Sequence, residues 1–150
     1  MKLHLGCGCV KKEGWINVDS QARVNPDVVT DLSQFPWPFE SNSADEIYSS
    51  HVFEHIVDAV GVMNECFRIL KPGGTLEVIV PFAMTYAHMT DPTHCRPWTD
   101  TTVKYFLRGT DSQATYGAGG FDLIFCNLLD EGFHVNGTVT PKTLRRSIRN

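Results

Sequence analysis

At 150 residues, with 42% hydrophobic and 20% charged positions, the chain can bury one core but not two, so residues 1–150 are expected to form a single domain. A net charge of −4 argues against a nucleic-acid backbone as the main partner, and no apolar run is long enough to cross a bilayer. The opening MKLHLGCG has neither a secretory apolar region nor a cleavage site, and the five cysteines (Cys7, Cys9, Cys66, Cys95, Cys126) are odd in number and scattered, so a cytoplasmic protein without a disulfide framework is expected.

In chain order, Leu3 and Leu5 alternate with polar residues as a strand and lead into Gly6-Cys7-Gly8. A second short strand, Trp15 to Val18, ends on Asp19. In a parallel α/β sheet this places glycine where the backbone leaves the first strand and a carboxylate at the tip of its neighbour, the outline of a nucleoside pocket. Glycine lets main chain approach a ligand, and a carboxylate at that tip can accept from both ribose hydroxyls. Gly8 to Trp15 is too short for a crossover helix, and so is the SQARVNP loop before Asp27–Thr30. One face of the sheet is therefore expected to lack helices, which makes it a candidate surface for a homodimer or a partner subunit.

Asp31 to Ser43 is a loop punctuated by Pro36 and Pro38, and Asp45 to Ser49 is a strand that delivers Ser49, Ser50 and His51 to the same carboxyl edge. Apolar residues at Phe53, Ile56, Val57, Val60, Met63, Phe67 and Leu70 predict a helix over 52–70, stopped by Lys71-Pro72-Gly73-Gly74 and followed by a strand over Thr75–Val80. Further on, Thr99–Leu107 fits a short helix capped by Thr99 or Asp100, and Thr110–Gly120 reads as a flexible loop. FDLIFCNLL and FHVNGTVT, around Asp130-Glu131-Gly132, predict an antiparallel hairpin. The basic tail (Lys142, Arg145, Arg146, Arg149) reads as a solvated terminus, with an anionic partner as the alternative.

These pieces in this order resemble a class I S-adenosylmethionine-dependent methyltransferase. LGCG, Leu5 to Gly8, resembles that family's motif I, NVD resembles its acidic ribose-binding position, and His51 to Pro81 resembles its fourth-helix and fifth-strand block, with the E-H pair and the R-x-L-K-P-G-G turn. The resemblance covers residues 2 to 81. It implies an α/β, Rossmann-like, mostly parallel sheet of about seven strands with a terminal antiparallel hairpin and reduced helices on one face. It implies S-adenosyl-L-methionine as cofactor and S-adenosyl-L-homocysteine as product, with Leu5, Gly6, Cys7 and Gly8 against the methionine part, Asp19 on the ribose, Asp31 and Leu32 beside the adenine, and Ser49, Ser50 and His51 near the sulfonium. Motif I here departs from the family in lacking its third glycine and first helix, which leaves room for an element borrowed from a partner.

Methyl transfer is an in-line displacement in which the cofactor carries the chemistry and the protein supplies alignment. An oxygen acceptor also needs its proton removed, and His88, Asp91 and His94 are the best local source of a base; a loop ordered by an Asp91-Pro92 turn and by His94 is the competing reading. His51-Val52-Phe53-Glu54-His55 matches the H-x-x-E-H pattern of inverted zinc peptidases, but the methyltransferase block accounts for it and no metal is expected, a divalent ion held by Asp91, His94 and His88 to lower an acceptor's pKa being the minority alternative. Trp37 and Trp98 read as packing residues or as stacking platforms, and Arg96 as an anion grip or a surface ion pair. No N-P-P-Y, D-P-P-Y or Pro-Cys motif points to a DNA base, so the expected acceptor is a small molecule, with an oxygen of sugar type favoured by analogy with similar short methyltransferase-like proteins. A non-catalytic S-adenosylmethionine-binding accessory subunit is the alternative.

Overall fold

Seven strands make one sheet in the computed structural model, which describes residues 1–117, 120–128 and 134–141. They are β1 (Lys2–Leu5), β2 (Ile16–Asp19), β3 (Val28–Val29), β4 (Ala44–Ser50), β5 (Leu70–Pro81), β6 (Phe121–Leu128) and β7 (His134–Pro141), in the order β3-β2-β1-β4-β5-β7-β6. The first five pair in parallel, while β7 runs antiparallel to both β5 and β6. The expected Rossmann-like, mostly parallel sheet is what the chain forms, with β6 and β7 paired antiparallel at one end. The hairpin turn at Asp130-Glu131-Gly132 and the basic tail Lys142, Arg145, Arg146 and Arg149 lie outside the described residues.

Register puts the apolar side chains on one face. Leu3 pairs with Ile16 and Ile47, and Leu5 with Val18 and Ser49, so one face of three adjacent strands is hydrophobic. That face is covered by α1 (Ala59–Ile69), whose Val62, Met63, Cys66 and Ile69 recur at helical spacing and are buried against Leu3, Leu5, Ile47 and Leu76. Truncating one of these leucines to alanine typically costs about 2–5 kcal/mol, so this layer anchors the pocket edge.

The helix is shorter than its apolar pattern. The spacing that predicts 52–70 is interrupted: Phe53–His55 form a single 3-10 turn, Ile56 is extended, and α1 begins only after Asp58, whose Oδ1 accepts the Gly61 N–H at 2.7 Å. The local run was overridden from outside. The Glu54 carbonyl accepts N–H groups from Cys95 and Arg96 at 2.9 and 3.0 Å, so a distant segment holds the turn away from helical geometry. At its other end α1 passes straight into β5 at Leu70, earlier than the expected strand start at Thr75.

Among the described residues α1 is the helix that links two parallel strands; β2 to β3 is spanned by a 3-10 turn, Ala22–Val24. The opposite face is helix-poor as expected, but over β1 it is not bare. His4 is buried there, its Nδ1 3.1 Å from Asn17 Oδ1 and its ring against Tyr48, while the Lys12 ammonium sits 3.9 Å from the Tyr48 ring centre. Side chains of the β1–β2 loop do part of the work of the missing helix.

After β5 come α2 (Tyr86–Thr90), α3 (Asp100–Lys104) and α4 (Asp111–Tyr116). Thr99 caps α3 through a capping box with Thr102, matching the expected start of that helix. The Gly/Ser/Thr-rich stretch expected as a flexible loop instead contains α4, capped by the Thr110 hydroxyl on the Gln113 N–H and ended by Gly117 at φ +65°. Thr110 is thus a cap, and the Thr115 hydroxyl bonds back to the Asp111 carbonyl at 2.8 Å.

Candidate active site

The turn after β1 is built by two left-handed glycines, Gly6 at φ +67° and Gly8 at φ +51°. At Gly6 the requirement is double, because a Cβ there would fall 2.2 Å from Val52 Cγ2. The Cys7 N–H donates to the Val18 carbonyl at 3.0 Å and ties the turn to β2. Asp19, at the tip of β2, accepts the Gly8 N–H on Oδ2 and the Gln21 N–H on Oδ1, each at 2.8 Å. A carboxylate offers about four acceptor positions. Two hold the side chain in place, and the rest are available to a ligand's hydroxyls.

Gly6, Gly8, Asp19, Asp31, Leu32 and His51 all line one cavity of about 380 Å³, together with Ser20, Ser33, Val52, His55 and Ile56. The volume is in the range of small-molecule sites. On the far wall, Asp31 Oδ1 accepts the Ser33 hydroxyl and N–H at 2.7 and 2.9 Å, and the Ser33 donors hold its carboxyl below the usual carboxylate range. Leu32 is fixed through its carbonyl, which accepts the Trp37 indole N–H at 3.2 Å. Trp37 is buried and its own N–H donates to Glu65 Oε1 at 2.7 Å; Arg68 clamps the same carboxylate at 2.6 Å and the Phe39 carbonyl at 2.8 Å. Trp37 therefore supports the wall from behind.

The other sequence-chosen positions fall elsewhere. Leu5 and Ser49 are fully buried beneath the cavity, the Ser49 hydroxyl donating to the Leu5 carbonyl at 3.3 Å. Cys7 and Ser50 line a separate cavity of about 350 Å³ with His4, Val10, Lys12 and Tyr48. Trp98 is buried against Phe53 and Phe106, so it packs, and the Arg96 Nε donates to the Val57 carbonyl at 2.5 Å beside an apolar hollow lined by Trp98, Tyr105 and Tyr116.

His88, Asp91 and His94 come together, but behind the cavity wall rather than on it. The His88 and His94 rings stack at 5.2 Å, His94 Nδ1 lies 3.0 Å from the His88 carbonyl, and His94 Nε2 lies 3.6 Å from Asp91 Oδ2. Asp91 Oδ1 accepts the Thr93 hydroxyl and N–H at 2.5 and 2.8 Å, which keeps its carboxyl below the ordinary value. Between this group and the cavity stands His55, its ring 4.7 Å from that of His94. Sequence reasoning passed over His55 and Glu54 as family signature; the signal was their place in H-x-x-E-H.

A parallel sheet with a left-handed glycine turn, a carboxylate at the next strand's tip and a cavity between them is the arrangement of class I S-adenosylmethionine-dependent methyltransferases, and the residues fit that cofactor's diol and the glycine-lined approach it needs. Residues 3–78, about half of the chain, match the methyltransferase-domain family, and the chain belongs to it. A probable S-adenosylmethionine-dependent methyltransferase of Mycolicibacterium smegmatis is 36% identical over 56 residues, 37% of this chain but 21% of that protein's length. Among solved structures, a S-adenosylmethionine-dependent methyltransferase from Archaeoglobus fulgidus aligns with a TM-score of 0.68 at 16% identity, over 93% of this chain and 85% of that one. A chain of the Haloferax volcanii complex containing the Trm112 methyltransferase activator aligns with a TM-score of 0.67, also at 16% identity, over 95% of this chain and 82% of that one. No helix of the described residues is long and apolar enough to cross a membrane.

Proposed function

We propose that the chain transfers a methyl group from S-adenosylmethionine to an oxygen of a small-molecule acceptor, of sugar or comparable hydroxyl type. The observation that carries the reading is Asp19: a carboxylate with both oxygens held by backbone N–H groups, on the wall of a glycine-floored cavity. When bound, S-adenosylmethionine supplies a sulfonium-activated methyl carbon. Asp19 binds the ribose hydroxyls, Gly6 and Gly8 keep side-chain bulk away from the methionine part, and Asp31 and Leu32 border the adenine. Leu5 and Ser49 support the floor, while Cys7, Ser50 and His51 border the strand ends. His88, Asp91 and His94 are the base group, reaching the cavity through His55, and they take the acceptor's hydroxyl proton. The net charge of −4 agrees with a small acceptor better than with a nucleic acid.

Calorimetric titration with S-adenosylmethionine and S-adenosylhomocysteine, followed by a panel of hydroxyl and amine acceptors scored for S-adenosylhomocysteine release, tests the reading. Binding with turnover on hydroxyl acceptors supports it; failure to bind either nucleoside sinks it. Unchanged turnover at saturating acceptor in His88→Ala, Asp91→Ala and His94→Ala, made singly, removes the base assignment alone. A second reading is a cofactor-binding chain completed by a partner, as homodimer or heteromer, through the helix-poor face. It is favoured by the absence of a helix between β1 and β2 and by the likeness to a chain from an activator complex. Binding without turnover favours it.

A further inference from the structure

Glu54 is fully buried, and neither of its carboxylate oxygens has a hydrogen-bond partner. An uncompensated buried carboxylate is costly, so the site favours a proton or a cation beside it. His51 Nδ1 lies 3.4 Å and His94 Nε2 3.9 Å from Oε1, distances too long for good hydrogen bonds.

Proton accounting sharpens the requirement. The His88 carbonyl can only accept, so His94 Nδ1, 3.0 Å away, carries the hydrogen and donates to it. In the neutral ring His94 Nε2 then carries the lone pair, set between two acceptors, Glu54 Oε1 and Asp91 Oδ2. The Thr93 hydroxyl donates to Asp91 Oδ1 and so accepts from His55 Nδ1–H at 2.9 Å, which leaves His55 Nε2 with its lone pair as well. As neutral rings both imidazoles take the tautomer in which Nδ1–H is anchored on oxygen and Nε2 is offered, the arrangement typical of metal-bound histidines.

One ligand atom from each of Glu54, His55 and His94 lies within 4.8 Å of the others. A tetrahedral ion with ligands at 2.0–2.2 Å spaces them by about 3.4 Å, so small rotations of the side chains close the set. His55 is exposed and on the cavity wall, which leaves a coordination position open. Two imidazoles and one carboxylate suit zinc or cobalt better than magnesium or calcium.

We propose that Glu54, His55 and His94 bind a divalent transition-metal ion of the zinc class at the rim of the cofactor cavity. The expectation of no metal weighed the pairing of His51 with His55 and a divalent ion on Asp91, His94 and His88; the fold instead brings His94 to Glu54 and His55. His51 and Asp91 flank the site as outer neighbours. With the ion bound, His55 and His94 act as ligands and do not take a proton, so the two assignments are alternatives for these rings; metal uptake is measured without cofactor or acceptor and does not depend on methyl transfer.

The test uses the full chain stripped with a chelator, titrated with Zn²⁺ by calorimetry and with Co²⁺ by visible absorption. One saturable equivalent is expected, with the cobalt spectrum of a low-coordinate nitrogen–oxygen site and a zinc-dependent rise in melting temperature. His55→Asn and Glu54→Gln should each weaken uptake by at least about 100-fold, since even outer partners of metal ligands are worth about 10–100-fold. Circular dichroism checks each fold; His55 is exposed, so His55→Asn keeps the test decisive if Glu54→Gln does not fold. Less than one equivalent in the unsubstituted chain, or full-affinity uptake by folded His55→Asn, overturns the proposal.

Discussion

Gly6→Ala should be among the most damaging single-methyl changes in the chain, and its cost can be separated into two parts. Holding alanine at φ +67° costs about 1–2 kcal/mol. Its Cβ would also meet Val52 Cγ2 at 2.2 Å, and forcing that side chain aside adds about 1–3 kcal/mol of overpacking. Val52→Ala removes the γ carbons, leaving only Val52 Cβ at 3.2 Å from the new methyl, but does nothing for the backbone. The double variant should therefore cost less than the sum of the singles by about 1–2 kcal/mol, measured by urea denaturation of all four proteins. S-adenosylmethionine affinity, by calorimetry, should remain low in both Gly6→Ala proteins, because the strained turn moves the Gly8 N–H that positions Asp19. Additivity to within about 0.5 kcal/mol would refute the packing of Val52 over Gly6.

Asp19→Asn replaces one acceptor oxygen with a donor that must face either the Gly8 or the Gln21 N–H, so a stability loss of about 1–3 kcal/mol and a larger proportional loss of nucleoside affinity are expected from parallel melting and calorimetry. Glu65→Ala strands the Trp37 N–H and half-buried Arg68; a loss of about 2–3 kcal/mol is expected in urea denaturation, with weaker nucleoside binding because Trp37 holds Leu32. Stability should also fall with acidity through His4, which burial, and secondarily the Lys12 charge, push below the ordinary 6.5 against the opposing Asn17 bond and Asp19 charge. The unfolded chain then takes up a proton that the folded chain refuses, so stability is lost as pH drops from about 6.5 toward the folded value. Urea midpoints compared between pH 7.5 and 5.5 should show a shallower fall in His4→Gln than in the parent; equal slopes would refute the assignment.

The glycine turn and Asp19 were legible because they are made of local signals. Gly6 and Gly8 are called for by backbone conformation, and Asp19 by the end of a strand four residues long, so each needs only its own neighbours to be recognised. The pattern failed where distant chain competes with it. Phe53 and Ile56 occupy helical positions in the sequence and are buried as expected, yet they sit in a 3-10 turn and an extended link, because Cys95 and Arg96 bond the Glu54 carbonyl. Asp58, the true cap, was readable as such, but an unbroken apolar run outweighed it.

The same competition explains the Glu54, His55 and His94 cluster. A helix through 52–57 would spend the Glu54 carbonyl on its own i+4 N–H and give no dock to the segment carrying Cys95 and Arg96. By stopping short, the chain gives up part of a helical turn and gains a second wall, with His94 delivered to Glu54 and His55 placed on the cavity. The break in α1 and the histidine–carboxylate group are thus one feature, and they differ from the glycine turn in kind. Substitutions at Gly6 or Asp19 disturb a turn whose signals lie in β1, β2 and their ends, whereas the Glu54, His55 and His94 group depends on two segments some forty positions apart and should be lost first when the 91–96 segment is loosened.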